Sequence, residues 1–258
     1  MSIDPSEILE RSMEKDEINL YSDSPRLYDV LYRDSGANRQ KENSVRRNID
    51  ESTEVLDLAC GTGIVTERIA DDFEVTGADL SREMLKVADR KEINADFVQT
   101  DMRYLPFSQD FDAVIMYGQP LSHLENQKDV KSTAESIYDS LKPEGVFITD
   151  FFSEDAGLKE SLNPIMQEFG DYTAVMSPEF SSYDRSAQAW DASIEFQVEN
   201  GEKQNRFTHS RGMRGYSIDR MEEILEEAGF STVMEQEIYG GPIHNSVVAY
   251  KQEETGKN

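Results

Sequence analysis

A parallel, doubly wound α/β sheet is the fold class that the sequence predicts, and three features predict it. Short apolar runs alternate with helical patterns between residues 54 and 152. Strands alternating with helices at this spacing are joined by crossovers, so neighbouring strands run parallel. Several of the runs end in an acid, and a glycine-rich turn, "ACGTG" at 59–63, joins the first run to the first helix of the alternation.

Each element follows from its own pattern. Residues 1–24 are polar, with a weak helical pattern at Ile8, Leu9 and Met13, and read as an arm or lid. "SPRLYDVLY" places Leu27, Tyr28, Leu31 and Tyr32 on one face of a short helix. "NRQKENSVRR" is polar and locally basic. "EVLDLA" is a buried strand, and "GIVTERIADD" is a helix with Ile64, Val65, Ile69 and Ala70 apolar. "EVTGADL" is the second strand, and Ser81 can cap a helix bearing Met84, Leu85 and Ala88. "ADFVQTD" and "FDAVIMYG" are strands three and four, and a helix follows over roughly 129–141. "KPEG" is a turn and "VFITDFF" the fifth strand.

After residue 153 the period changes to two. Trp190, Ala192, Ile194, Phe196 and Val198 alternate with polar residues, Asn200-Gly201 signals a hairpin, and the return strand runs through Phe207 toward Met213. This antiparallel β insertion is read as a cover for the site, a subunit interface, or both. Ser217 can cap a helix with Met221, Ile224, Leu225 and Ala228, and Gly229 can stop it. "STVMEQEIY" and "NSVVAYK" supply two last strands. The expected organisation is an N-terminal helical arm over 1–50, a core over 51–153, the insertion over 154–215, and completion of the core sheet over 216–258.

Composition narrows the function. The 258 residues carry 26 Lys+Arg against 52 Asp+Glu, a formal charge of −26 spread along the chain. Such a surface repels phosphate backbones and anionic membranes, so neither nucleic acid nor membrane is an expected partner. The pattern resembles salt-adapted proteins. Cys60 is the single cysteine, so no intrachain disulfide forms, and it reads as a small residue in the turn. Three scattered histidines and one cysteine make no metal-ligand cluster. No apolar run reaches membrane-spanning length, and the acidic N-terminus lacks the pattern of a signal peptide. A cytoplasmic location is expected.

The turn itself selects a ligand class. Gly61 and Gly63 let a ligand approach the main chain at a helix N-terminus. The dinucleotide fingerprint wants a third glycine where Thr66 stands, and Asp57 before the turn sits poorly beside a diphosphate. An acid there suits a ligand with a positive group, as in the α-ammonium of S-adenosylmethionine. Asp79 ends the second strand, where an acid accepts from ribose hydroxyls, and Asp101 ends the third, where it can accept from an adenine amino group.

"EVLDLACGTG", "VTGADLSREML", "DFVQTDMRYLPF" and "FDAVIMYG" together resemble the ordered motifs of class I S-adenosylmethionine-dependent methyltransferases, most strongly over residues 53–152. The resemblance implies a Rossmann-like, doubly wound, seven-stranded sheet whose last strand is antiparallel. It also implies Asp57 and the Gly61–Gly63 backbone near the methionine part of the cofactor, Asp79 on the ribose, and Asp101 with Met102 around adenine, with Ala59, Cys60, Leu80, Met84 and Met116 also in the cofactor shell. Ala59 stands where many members have glycine.

Methyl transfer from a sulfonium is an in-line displacement, and a base is needed only when the nucleophile arrives protonated. His123, in "YGQPLSHL" after strand four, has an ordinary pKa range suited to proton transfer near neutrality. Arg206, Arg211 and Arg214, on or after the return strand, are candidates to receive an anionic acceptor, with ion pairs to nearby acids as the alternative. "YDVLYRDSG", "TDMR", "PLSHL" and the final "GGP" are similar to N,N-dimethyltransferases of nucleotide-linked amino sugars. That similarity implies Tyr32 and His123 at the acceptor site and a homodimer through the β insertion. Ala37 and Arg39 depart from the group's pattern after "YDVLY". The reading is therefore an S-adenosylmethionine-dependent methyltransferase for a small-molecule acceptor, an amine nitrogen favoured. A non-catalytic S-adenosylmethionine-binding protein and an NAD-dependent oxidoreductase are the alternatives.

Overall fold

The computed structural model describes residues 19–50, 53–158, 164–169, 171–202, 204–238 and 243–252. The pattern at Ile8, Leu9 and Met13, the "GGP" at 240–242 and the chain end from 253 lie outside these residues.

Two helices open the described chain, α1 (Pro25–Tyr32) and α2 (Gly36–Asn48). α1 buries Leu27 and Leu31, as its apolar face requires. α2 is the polar stretch that gave no apolar signal. Its buried positions are Asn38, Ser44 and Val45, and hydrogen bonds rather than an apolar face hold the two polar ones. Asn38 Nδ2 donates to the carbonyls of Tyr32 (2.7 Å) and Arg33 (3.0 Å), which closes the end of α1. Ser44 Oγ donates to Gln236 at 2.8 Å.

The alternation then runs β1 (Glu54–Leu58), α3 (Ile64–Ile69), β2 (Glu74–Asp79), α4 (Arg82–Asp89), β3 (Ala95–Gln99), β4 (Phe111–Met116), α5 (Gln127–Ser140) and β5 (Leu141–Phe152). Ser81, Asn126 and Ser217 accept from backbone N–H groups as helix caps. The "KPEG" turn lies within β5 as an irregularity. There Glu144 takes φ 63°, and the register with β4 shifts between Phe111 and Ala113.

Four strands follow, β6 (Ile165–Phe169), β7 (Tyr172–Asp184), β8 (Ala189–Glu199) and β9 (Gln204–Arg214). They form a separate antiparallel sheet in the order β6-β7-β8-β9. The insertion is therefore twice the expected hairpin. β7 was hidden by Pro178 and its serines, since proline reads against a strand. Pro178 is tolerated because the β6–β7 pairing ends at Ile165↔Met176, before it. The chain ends in α6 (Ile218–Ala228), β10 (Phe230–Glu235) and β11 (His244–Lys251).

The seven-stranded sheet has the order β10-β11-β5-β4-β1-β2-β3. β11 runs antiparallel to both β5 and β10, and the other pairs are parallel. The pleat splits the core in two. Leu56, Leu58, Val114 and Met116 pack with Ile137 of α5 and Ile224 of α6. Val55, Ala113 and Ile115 pack with Val45 of α2 and Val65 and Ile69 of α3. Full burial of one such side chain contributes about 1.5–3 kcal/mol. Among the described residues no helix is long and apolar enough to cross a membrane.

From β1 the chain steps outward to β2 and β3, then returns to the other side of β1 as β4. That reversal opens a crevice at the carboxyl ends of β1 and β4, where ligands bind in open α/β sheets.

The inserted sheet joins the core through a narrow neck. Ser153 and Tyr216 form a β-bridge, and Tyr216 N donates to the Phe152 carbonyl at 2.9 Å. Gly215 sits in this neck, where an added Cβ would stand 2.3 Å from the Ser153 carbonyl oxygen. The expected effect of Gly215→Ala is a loss of about 1–3 kcal/mol in urea unfolding. Wild-type stability would show that the neck is not packed as described.

Candidate active site

The crevice is a cleft of about 530 Å³, and each wall comes from one strand end. Leu58, Ala59 and Gly61 follow β1; Asp79, Leu80, Ser81 and Met84 follow β2; Asp101, Met102 and Arg103 follow β3. Tyr117, Pro120 and His123 follow β4, while Tyr21, Tyr28 and Arg211 close the cleft from outside the sheet.

The turn after β1 is built on left-handed residues. Ala59, Gly61 and Gly63 have φ of 58°, 58° and 74°. For Ala59 this conformation costs about 1–2 kcal/mol, which a glycine would not incur. Cross-links hold it in place. Cys60 N donates to the Ala78 carbonyl at 3.0 Å, and Gly61 N donates to Asp79 Oδ2 at 2.8 Å. Thr62 Oγ1 donates to Asp29 of α1 at 2.7 Å, and Lys91 pairs with the same carboxylate.

Of the residues expected around a cofactor, Ala59, Gly61, Asp79, Leu80, Met84, Asp101 and Met102 line the cleft. Four do not. The Asp57 side chain is buried behind the turn, where it accepts from Thr66 Oγ1 at 2.6 Å, and burial pushes its pKa up to about 6. Cys60 turns its sulfur toward β2, 3.1 Å from where a Cβ on Gly77 would stand, and burial raises the thiol pKa well above its usual value. Gly63 is the N-cap of α3, and Met116 is fully buried in the core. Strand alternation explains Asp57 and Met116, whose side chains leave the strands toward packed layers rather than the strand ends.

Tyr32 is likewise displaced. Its ring stacks on Tyr28, centroids 4.7 Å apart, and Tyr28 is the one that lines the cleft. Tyr21 packs on Tyr28 in turn, at 5.7 Å. Nothing in the sequence singled out Tyr21, which lies in a polar segment. Tyr28 shared the helix face on which Tyr32 was chosen. Lys41 of α2 was also missed. Burial lowers its pKa against the opposing pull of Asp150 and Asp57. Asp150, at the end of β5, accepts from the backbone N–H groups of Gly118 (2.8 Å) and Gln119 (3.1 Å) and so fixes the loop that carries His123.

Asp79 is poised for a diol. Its two oxygens accept from Gly61 N and Ser81 N, each at 2.8 Å, and each keeps a further lone pair. An added Cβ on Gly61 would meet nothing nearer than Tyr28 at 3.9 Å, so the main chain there is open to a ligand. Asp101 accepts from Arg103, whose guanidinium holds its carboxyl below the usual range. Arg103 in turn pairs with Asp129. No lysine or arginine among the cleft-lining residues belongs to the glycine turn. The residues thus fit S-adenosylmethionine, with its ribose and adenine but no phosphates, better than a dinucleotide.

His123 faces a different environment from the one its sequence suggested. Arg211 Nη1 lies 2.8 Å from its Nε2 and 3.1 Å from its Nδ1, and Nδ1 is 3.0 Å from Met213 Sδ. Burial first, then Arg211 and His209, lower its pKa to about 3. The ring is neutral at physiological pH with a guanidinium against it, so it is not set up as a base near neutrality. Arg211 and His209 come from β9, far along the chain, and nothing near His123 in sequence foretells them.

The comparisons with known proteins agree with this geometry. A family model described as a methyltransferase domain matches residues 55–145. YqeM of Bacillus subtilis, to which methyltransferase activity is ascribed, is 34% identical over 191 residues, 72% of this chain and 76% of that protein. The dTDP-3-amino-3,6-dideoxy-alpha-D-glucopyranose N,N-dimethyltransferase of Streptomyces fradiae is 31% identical over 48% of this chain and 51% of its own. The crystal structure of Streptomyces venezuelae DesVI shares the fold with a TM-score of 0.76, at 22% identity over 88% of this chain and 97% of that one. Fold and cleft define a class I enzyme that takes its methyl group from S-adenosylmethionine. The chain belongs to the S-adenosylmethionine-dependent methyltransferase family.

His123 is expected to remain neutral from pH 5 to 9 in side-chain ¹⁵N spectra. A base with a depressed folded pKa contributes stability above its unfolded value near 6.5, and that stability is lost as pH falls toward 3. His123→Gln, which keeps an acceptor for Arg211, is therefore expected to flatten the stability profile over that window. A ring titrating near 6.5 would refute the assignment.

Proposed function

We propose that the protein methylates an amine nitrogen of a small-molecule acceptor. The observation that carries this reading is the state of His123, a ring at the cleft with the Arg211 guanidinium against both its nitrogens and a pKa lowered to about 3. The tyrosines beside it, Tyr21 and Tyr28, have pKa values raised by burial. A hydroxyl or carbon acid needs a base when it attacks, whereas a neutral amine brings its own lone pair. S-adenosylmethionine supplies an electrophilic methyl group. The amine nitrogen forms the new C–N bond as the S–C bond breaks, and the surplus proton leaves to water. The chain's part is to bind, align and keep water out. The name of the Streptomyces fradiae relative, an N,N-dimethyltransferase, supports the same acceptor atom.

In this reading Asp79 holds the ribose, Asp101 and Met102 flank the adenine, and the Ala59–Gly61 main chain faces the methionine end. His123 acts by holding Arg211 in place rather than by removing the acceptor's proton. Asp57 acts from behind the turn through Thr66, and Tyr32 through Tyr28. The expected result of Asp79→Ala is at least a 100-fold loss of S-adenosylhomocysteine affinity by calorimetry, since hydrogen bonds to a charged group contribute about 1.5–3 kcal/mol each. Unchanged affinity would remove the ribose assignment. Incubation with methyl-labelled S-adenosylmethionine and a metabolite extract tests the acceptor atom, and label recovered only on oxygen or carbon would overturn the amine reading.

We also infer a cytoplasmic homodimer formed through the inserted sheet. β6 is its edge strand, and there Ile165 and Met166 are 49% and 67% exposed. Sedimentation is expected to report a dimer that Met166→Glu dissociates. A wild-type monomer would remove the inference.

A further inference from the structure

A second cavity, of about 550 Å³, lies on the inserted-sheet side of His123. It shares His123, Leu124, Glu125 and Arg211 with the donor cleft, so this group stands between the two spaces. Arg211 is its only cation. Nη1 donates to His123, Nη2 donates to His209 Nε2 at 2.6 Å, and the guanidinium lies over the Tyr21 ring, 4.1 Å from its centroid. Of these partners, Tyr21 has its pKa raised and His123 has its pKa lowered, so both are neutral. Among the described residues Arg211 has no carboxylate within ion-pair distance, although acids outnumber basic residues two to one in this chain.

The other two arginines raised by the sequence are accounted for. Arg206 pairs with Glu195 at 3.7 Å. Arg214 donates to the backbone carbonyls of Ala187 and Glu125. A second donor nevertheless points to a ligand. Trp190 lines the second cavity, and its buried indole N–H has no acceptor among the described residues. An oriented guanidinium with neutral neighbours, close to a cleft that takes a cationic methyl donor, is costly unless an anion joins it.

Building on the N-methylation reading, we propose that Arg211 anchors a carboxylate of the methyl acceptor, which makes the acceptor an amine that also bears a carboxylate and that reacts once its nitrogen has lost its proton to water. His123 and His209 hold the guanidinium fork in place. Glu125, Asp184, Asp191 and Arg214 also line the second cavity, Arg214 with its guanidinium on the carbonyls of Ala187 and Glu125. A diphosphate there would face three carboxylates against two guanidinium groups. A single carboxylate with a cationic or neutral amine beside it balances the same field, the carboxylate toward Arg211 and the amine toward the acids. Arg211 is thus a residue that sets which amines are accepted.

The test uses the full chain saturated with S-adenosylhomocysteine and titrated with β-alanine, glycine, ethylamine and phosphoethanolamine. Calorimetry and the ring signals of His123 and His209 are the readouts. The expected result is saturable binding of glycine or β-alanine that shifts both rings, with ethylamine at least 10-fold weaker. Arg211→Met is expected to remove that preference, a loss of 10- to 100-fold, while S-adenosylhomocysteine affinity stays within about 2-fold. Arg211→Lys is expected to recover part of it. The proposal is overturned by no binding of either carboxylated amine, by equal binding of ethylamine, or by tighter binding of phosphoethanolamine. It is also overturned if S-adenosylhomocysteine affinity collapses with either Arg211 variant. Methyl transfer to the same probes separates the two claims. Transfer to amines regardless of a carboxylate keeps the N-methylation reading and removes the role of Arg211. Carboxylate-dependent binding with the methyl group found on oxygen does the reverse.

Discussion

The chain must reverse from β1 into α3 within five residues, and most of the site follows from how it does so. Three alternate positions of that reversal are left-handed, one of them an alanine. Such a turn does not hold itself and is over-determined by its neighbours. Asp79 accepts the Gly61 N–H, Asp29 accepts the Thr62 hydroxyl, and Asp57 accepts the Thr66 hydroxyl. Each acid that steadies the turn thereby acquires a fixed place. Asp79 ends with its spare lone pairs at the cleft, and Asp29 ties α1 down so that Tyr28 lies over Gly61. The N-terminal helix is part of the site because of that one carboxylate.

Electrostatics divide the site into unlike halves. Toward β2 and β3 the walls carry Asp79 and Asp101, each occupied by backbone N–H groups or by Arg103. Toward the inserted sheet the Arg211 guanidinium is framed by aromatic and imidazole rings, with Glu125, Asp184, Asp191 and Arg214 lining the cavity on that side. Burial pushes the ionisable groups here toward their neutral forms. Asp57 and Asp79 are raised, and His123 is lowered. Chemistry in this cleft therefore proceeds with little protonation change in the protein, which suits a reaction whose electrophile arrives already activated.

The core strands and their helices were legible because each buries an apolar face whose period shows in the sequence. β1 to β5, α5, α6 and the terminal strand pair all follow from that rule. α2 does not, since Asn38 and Ser44 are buried by hydrogen bonds to α1 and to Gln236, partners that no local pattern encodes. β6 and β7 were hidden for a different reason, with Pro178 and a serine pair diluting an alternation that Tyr172, Ala174 and Met176 do carry. At the site, residues on strand ends and turns were readable, and Asp79 and Asp101 line the cleft. The identity of the aromatic wall was not, because Tyr28 and Tyr32 share one helix face and only packing decides between them. The state of His123 was not either, since it depends on side chains from β9.

The neck between core and inserted sheet has one more consequence. Ser153 and Tyr216 are bridge partners, so the chain leaves the core and re-enters it at nearly the same point. The four strands between them still pack on the rest of the chain, Tyr172, Phe196 and Phe207 against Leu27 and Leu31 of α1, and Phe180 and Trp190 against Phe152. Arg211 and His209 belong to that module, while the turn after β1 and Asp79 belong to the core. On the role proposed for Arg211, exchanging the insertion at this joint changes the acceptor and keeps the methyl donor, provided that the face against α1 is exchanged with it.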